Sequence, residues 1–218
     1  MRRNAAEIGW WLLLPCVLVI GGWITHRNAH AFTLTTDKGY LTSVGILGRE
    51  TWFRFGFFLH VFGAVPVVLI GWAQFSDTLL RRYKAWHRGL GKAYVALILF
   101  AAAPGGFLIG LGAAGGVPGQ VCFVTMSVLW AFFTGRAWYR IHKQHDVRGH
   151  QADMRRSYAL TFAAITLRIW MFLIGGLMGW HTSSAYVLEA WLCWVPNLVF
   201  VELFLNRRTT KTPRAIAD

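Results

Sequence analysis

Residues 157–180 read SYALTFAAITLRIWMFLIGGLMGW, an apolar run with a single charged residue, Arg168. A helix rises 1.5 Å per residue, so crossing a bilayer core of about 30 Å takes roughly 20 such residues. This stretch is long enough. Just before it lies RGHQADMRR (148–156), which is basic and polar. The alternation of apolar run and short polar segment recurs along the chain, with apolar stretches at 8–25, 53–75, 93–116, 121–139, 157–180 and 186–205. The expected fold is therefore all-α, one integral membrane domain over 1–218 built as a six-helix bundle. Composition agrees: only 14% of residues are charged and 56% are hydrophobic, whereas soluble domains carry about 25% charged residues.

The net charge of +13 invites a nucleic-acid reading. The basic residues, however, sit between apolar runs rather than along one amphipathic face. That pattern suits loops facing anionic lipid, so membrane lipids are expected as partners and nucleic acid is not. Arg2 and Arg3, the segments around Arg81–Lys92 and Arg136–Arg156, and the tail with Arg207, Arg208, Lys211 and Arg214 all fall on one side of such a bundle. The other side holds only Arg27, Lys38, Arg49 and Arg54. By the positive-inside rule, both termini are expected in the cytoplasm. Met1-Arg2-Arg3, an apolar run and then Ala29-His30-Ala31 also resemble a secretory signal. The run at 8–25 exceeds the 7–15 residues of a signal core, so a retained first helix is expected.

Several features read as architecture. Pro15, Pro66, Pro104 and Pro196 fall within spans and should bend them locally. Gly106 and Gly110 permit close helix approach. Cys16, Cys122 and Cys193 share no ligand spacing and read as buried thiols. Most of the tryptophans fall near span ends, as interfacial anchors do.

Polar side chains at membrane depth are costly and need a partner or a purpose. They are His60, Gln74, Arg168, Glu189, Asn197 and Glu202. Arg168 lies roughly 16 Å in from Ser157, and Asn197 a similar depth from Tyr186 on the opposite side. With His60 they are expected to form one polar cluster. Such a cluster suits a haem propionate, a quinone head group or a lipid phosphate, and equally a structural hydrogen-bond network. Glu202 is expected nearer the inner arginines.

At the inner ends, His87 starts a helical stripe through Gly91 and Tyr94, and His150 one through Met154 and Ser157. Two imidazoles on different helices are what a bis-histidine b-type haem requires, so His87 and His150 are the candidate metal ligands. Arg88, Arg148, Arg155 and Arg156 could pair with propionates. His60 would need a second outer ligand, and no spacing selects among His181, His26 and His30. A histidine in a basic loop also commonly just caps a helix or meets water, as His142 and His145 are read. Phosphate-cradling loops, nucleophile elbows and HExxH patterns are absent from the sequence.

HRGLGKAY (87–94), HQADMRRSYALTFAAITLR (150–168) and WLCWVPNLVFVEL (191–203) together resemble a bacterial membrane-protein family catalogued as domain of unknown function 2306. The family's second segment often looks like His-x-x-Trp-Met-x-Arg-Ser-Tyr-Ala-Leu-Thr. Met154, Arg156, Ser157, Tyr158, Ala159, Leu160 and Thr161 match it, while Asp153 replaces the tryptophan. The resemblance covers roughly residues 55–205. It implies a bacterial inner (cytoplasmic) membrane location and a common polar set of His60, His87, His150, Arg156, Arg168 and Asn197. In layout the family is distantly similar to multi-span b-type cytochromes. Two functions are expected: from the histidines that lead into the bundle amid arginines, a redox protein that binds haem b or exchanges electrons with quinone; or, from the small-residue and aromatic surfaces, a non-catalytic accessory subunit of a larger membrane complex.

Overall fold

The structure, a computed structural model, describes Leu41 and residues 45–206. Five helices in it are long and apolar enough to cross a membrane. They are α1 (Thr51–Gln74), α3 (Lys84–Gly110), α4 (Gly116–Gln144), α5 (Val147–Leu177) and α6 (Ser183–Asn206). A short helix, α2 (Asp77–Arg82), lies between the first two. These five correspond to the expected spans from 53–75 onward. The expected span at 8–25 and both chain termini lie outside the described residues.

The helices overrun the apolar stretches, chiefly at their basic ends. α3 begins at Lys84 rather than near Ala93, so the whole of KAWHRGLGK is helical. Long Lys and Arg side chains let a helix continue past the hydrocarbon edge while their charges stay wet. Local chemistry sets the starts. Asp146 caps α5 by accepting from Gly149 N–H at 2.9 Å, and Thr182 caps α6 by accepting from Ala185 N–H at 3.1 Å. Between α4 and α5 the chain reverses through His145, which takes a left-handed φ of 53°. Pro66 sits inside α1, which runs on through it. Pro104 follows a π-helical turn, Ile98–Ala102, whose wider winding accommodates the missing donor.

Neighbouring helices pack in chain order, and α5 also meets α1 while α4 also meets α6. α4 and α5 thus each pack against three other spanning helices. Closeness depends on small residues. A Cβ on Gly105 of α3 would lie 2.4 Å from the backbone nitrogen of His60 on α1, and one on Gly63 would lie 2.7 Å from that of Ala102. The expectation at Gly106 and Gly110 holds, since a Cβ there would meet Ser127 Oγ at 2.9 Å and Val124 N at 3.2 Å. Large apolar side chains such as Phe55, Phe62, Phe100, Phe132 and Phe200 point outward and are exposed. Hydroxyls and one carboxylate are fully buried. Lipid is as apolar as leucine, so packing and hydrogen bonds rather than water exclusion hold such helices together.

Candidate functional site

Three polar layers run through the bundle, with α5 as their common element. The middle layer is a network of hydroxyls. Tyr94 Oη lies 3.0 Å from Ser157 Oγ and 2.9 Å from Thr161 Oγ1. Trp130 Nε1 donates to Thr161 Oγ1 at 3.1 Å, and Thr134 Oγ1 lies 2.7 Å from Ser157 Oγ. Thr134 and Thr161 also donate to carbonyls one turn back, Trp130 O at 2.7 Å and Ser157 O at 3.1 Å. Tyr94, Thr134 and Ser157 are completely buried.

One turn toward the basic end, Asp153 is completely buried and gathers three guanidiniums. Arg136 approaches it with Nε at 2.8 Å and Nη2 at 2.6 Å, a bidentate fork. Arg140 Nη1 lies 3.1 Å from Oδ2, and Arg156 Nη1 donates to Oδ1 at 2.7 Å. Arg156 also pairs with Glu202 through Nε, and through Nη2 at 2.8 Å. Glu202 thus meets an inner arginine as expected. Asp153 is the hub that joins α4, α5 and, through Arg156 and Glu202, α6.

Beside this hub lie the two histidines. His150 donates Nδ1–H to Ala137 O at 3.0 Å. A carbonyl only accepts, so Nδ1 carries a hydrogen, and in the neutral ring Nε2 holds the lone pair. His87 buries its Nδ1 with no hydrogen-bond partner among the described residues, and Gln74 Nε2 shares that condition. Gln74 lies over the helix turn that follows His87: a Cβ on Gly91 would be 3.3 Å from Gln74 Oε1. His87 and His150 both lie in the first turn of their helices, at the basic end of the bundle. The donor set fits a metal-bound group in chemical type, with one imidazole oriented through its second nitrogen and one holding an unmatched buried nitrogen. Among the described residues, no group of three or more His, Cys, Asp or Glu gathers as a ready-made metal site.

In the third layer, His60 donates Nδ1–H to Ala102 O at 2.7 Å and sets its ring edge-on to Trp130 at 6.4 Å. Arg168 Nη1 bonds to Ala164 O of its own helix, and the Arg168 charge reaches His60. Asn197 is occupied elsewhere. Its Nδ2 donates to Cys193 O at 2.8 Å, Thr166 Oγ1 at 3.1 Å and Ala159 O at 3.2 Å, stitching α6 to α5. Of the three residues expected to cluster, His60 and Arg168 each bond to a backbone carbonyl rather than to one another, and Asn197 has a separate helix-joining role. Cys122 and Cys193 are buried thiols as expected, Trp194 Nε1 donating to Cys122 Sγ at 3.2 Å.

Sequence reading passed over Asp153 and the Tyr94, Thr134, Ser157 and Thr161 hydroxyls as site residues. One signal was present: Asp153, Ser157 and Thr161 recur every four residues, a single helical stripe.

The family model described as a predicted membrane protein, DUF2306, matches residues 57–205. No curated protein and no solved structure matches the chain.

Proposed function

The chain belongs to the DUF2306 family of predicted membrane proteins, and we propose that it is a multi-pass redox protein of a bacterial inner membrane. In this reading it holds haem b between His87 and His150 and exchanges electrons with a membrane quinone. The observation that supports it is the buried, partnerless ring nitrogen of His87 at the same basic end of the bundle as an imidazole already oriented by Ala137 O. Bound haem would supply one-electron transfer.

The chain's own residues would orient and neutralise. The His150 bond to Ala137 O fixes the tautomer that leaves Nε2 as a ligand. Arg156 is committed to Asp153 and Glu202, so propionate pairing falls to Arg88 and Arg148, which are exposed at the same end. Arg168, whose guanidinium bonds Ala164 O of its own helix, is the candidate partner for a quinone oxygen or a second propionate. The proposal keeps six spans, with both termini cytoplasmic.

The test is an absorption spectrum of protein purified after haem-replete expression. A Soret band that His87→Ala and His150→Ala each abolish supports the reading. A protein without that band and without metal by mass spectrometry overturns it. Recovery of a fixed partner would then favour the accessory-subunit role.

A further inference from the structure

The basic end of the bundle carries more positive charge than its carboxylates neutralise. Asp153 and Glu202 are the only carboxylates in ion pairs with Arg136, Arg140 and Arg156 among the described residues. The unspent hydrogen-bonding capacity is unevenly placed. Arg156 uses Nε, Nη1 and Nη2. Arg140 uses Nη1 alone, on Asp153 and on Gly149 O at 3.2 Å, which leaves Nε and Nη2. Arg136 spends Nε and Nη2 on Asp153, which leaves Nη1. These two side chains are 32% and 27% exposed, while the carboxylate that anchors them is fully buried. The donors left over are thus held in place by a buried counter-charge and border solvent or lipid.

The surface next to them is apolar. Phe132 lies one turn deeper on α4 with the Arg136 guanidinium 4.7 Å above its ring, and Val128 continues the strip another turn down. Both are exposed. A fixed pair of guanidiniums at the end of an exposed apolar strip matches one chemistry: a phosphate diester joined to hydrocarbon.

We infer that Arg136 and Arg140 form a binding site for the phosphate of an acidic phospholipid, whose acyl chain lies along Phe132 and Val128. Arginine forks suit phosphate oxygens, and charge complementarity at membrane depth favours a lipid over a soluble anion. The site adjoins His150, since Arg140 Nη1 bonds Gly149 O and His150 bonds Ala137 O, but lipid binding there does not depend on haem.

The experiment is native mass spectrometry of the full chain released from bilayers of equal phosphatidylglycerol and phosphatidylcholine. The wild type should retain phosphatidylglycerol preferentially, and millimolar inorganic phosphate should not displace it. Arg140→Gln should lower that retention about tenfold, the loss of a charge-assisted hydrogen bond to the phosphate. Arg82→Gln, which removes the same charge from exposed α2 at the same end, should leave it unchanged. Should Arg140→Gln fail to fold, Arg140→Lys keeps a cation against Asp153 with one donor nitrogen instead of three. It should show a smaller but measurable loss. Equal retention of both lipids, displacement by inorganic phosphate, equal loss in Arg82→Gln, or unchanged retention in the Arg140 variants would each overturn the inference.

Discussion

At the scale of single residues, the middle polar layer can be read by counting hydrogens. Trp130 Nε1 and the hydroxyls of Tyr94, Thr134, Ser157 and Thr161 bring one hydrogen each, yet their short contacts outnumber those hydrogens by one. If Thr134 and Thr161 donate to their backbone carbonyls, Ser157 donates to Thr134, and the Tyr94 hydrogen is shared between Ser157 and Thr161. Tyr94→Phe removes one hydrogen and two contacts and leaves every remaining donor matched, so it should cost under about 1 kcal/mol. Thr161→Val strands the buried Trp130 N–H and should cost about 1–3 kcal/mol. Thermal unfolding in detergent, followed by tryptophan fluorescence, ranks the pair; a larger loss in Tyr94→Phe would refute the assignment of donors. Asp153→Asn poses a harsher case. It removes the charge that three guanidiniums share, and a loss of about 3 kcal/mol is expected, at the lower end for a broken buried pair because the arginines are partly solvated. A variant as stable as wild type would show that Asp153 is not the hub.

At the scale of elements, the helices were largely legible and their ends were not. Apolar length alone locates a span, because an unpaired backbone in hydrocarbon leaves few alternatives to a helix. The ends at Lys84 and Val147 lie beyond the apolar runs, where snorkelling side chains and the Asp146 cap decide. Close crossing of α1 and α3 rests on Gly105, whose position against the His60 backbone leaves no room for a methyl group. Gly105→Ala must push the helices apart, which also disturbs the His60 contact with Ala102 O. A loss of about 1–3 kcal/mol is expected, as for other overpacked sites. Gly89→Ala, where a Cβ meets nothing within 4 Å, should be neutral or mildly stabilising, because alanine is the better helix former. The same melts compare them.

At the scale of the whole molecule, charge asymmetry sets the expected orientation. A fluorescent protein fused after Asp218 should be bright and an alkaline phosphatase there inactive, as for a cytoplasmic C-terminus. An active phosphatase at that position would invert the bundle. Hydropathy and Lys/Arg placement are properties of short segments, so the membrane class, the five described spans and the basic character of one bundle end could be read along the chain. Which polar groups meet could not. Asp153 finds Arg136 and Arg140 on another helix, Arg156 finds Glu202 on a third, and Asn197 turns to Ala159 and Thr166 rather than to Arg168. In a soluble helix the apolar face marks the inside. Here both faces are largely apolar, so outside the Asp153–Ser157–Thr161 stripe of α5 and the basic start of α3 the rotation of a helix leaves little mark in its periodicity. Glycine-lined crossings and buried hydrogen bonds between helices settle that rotation, and those exist only once the helices are packed together.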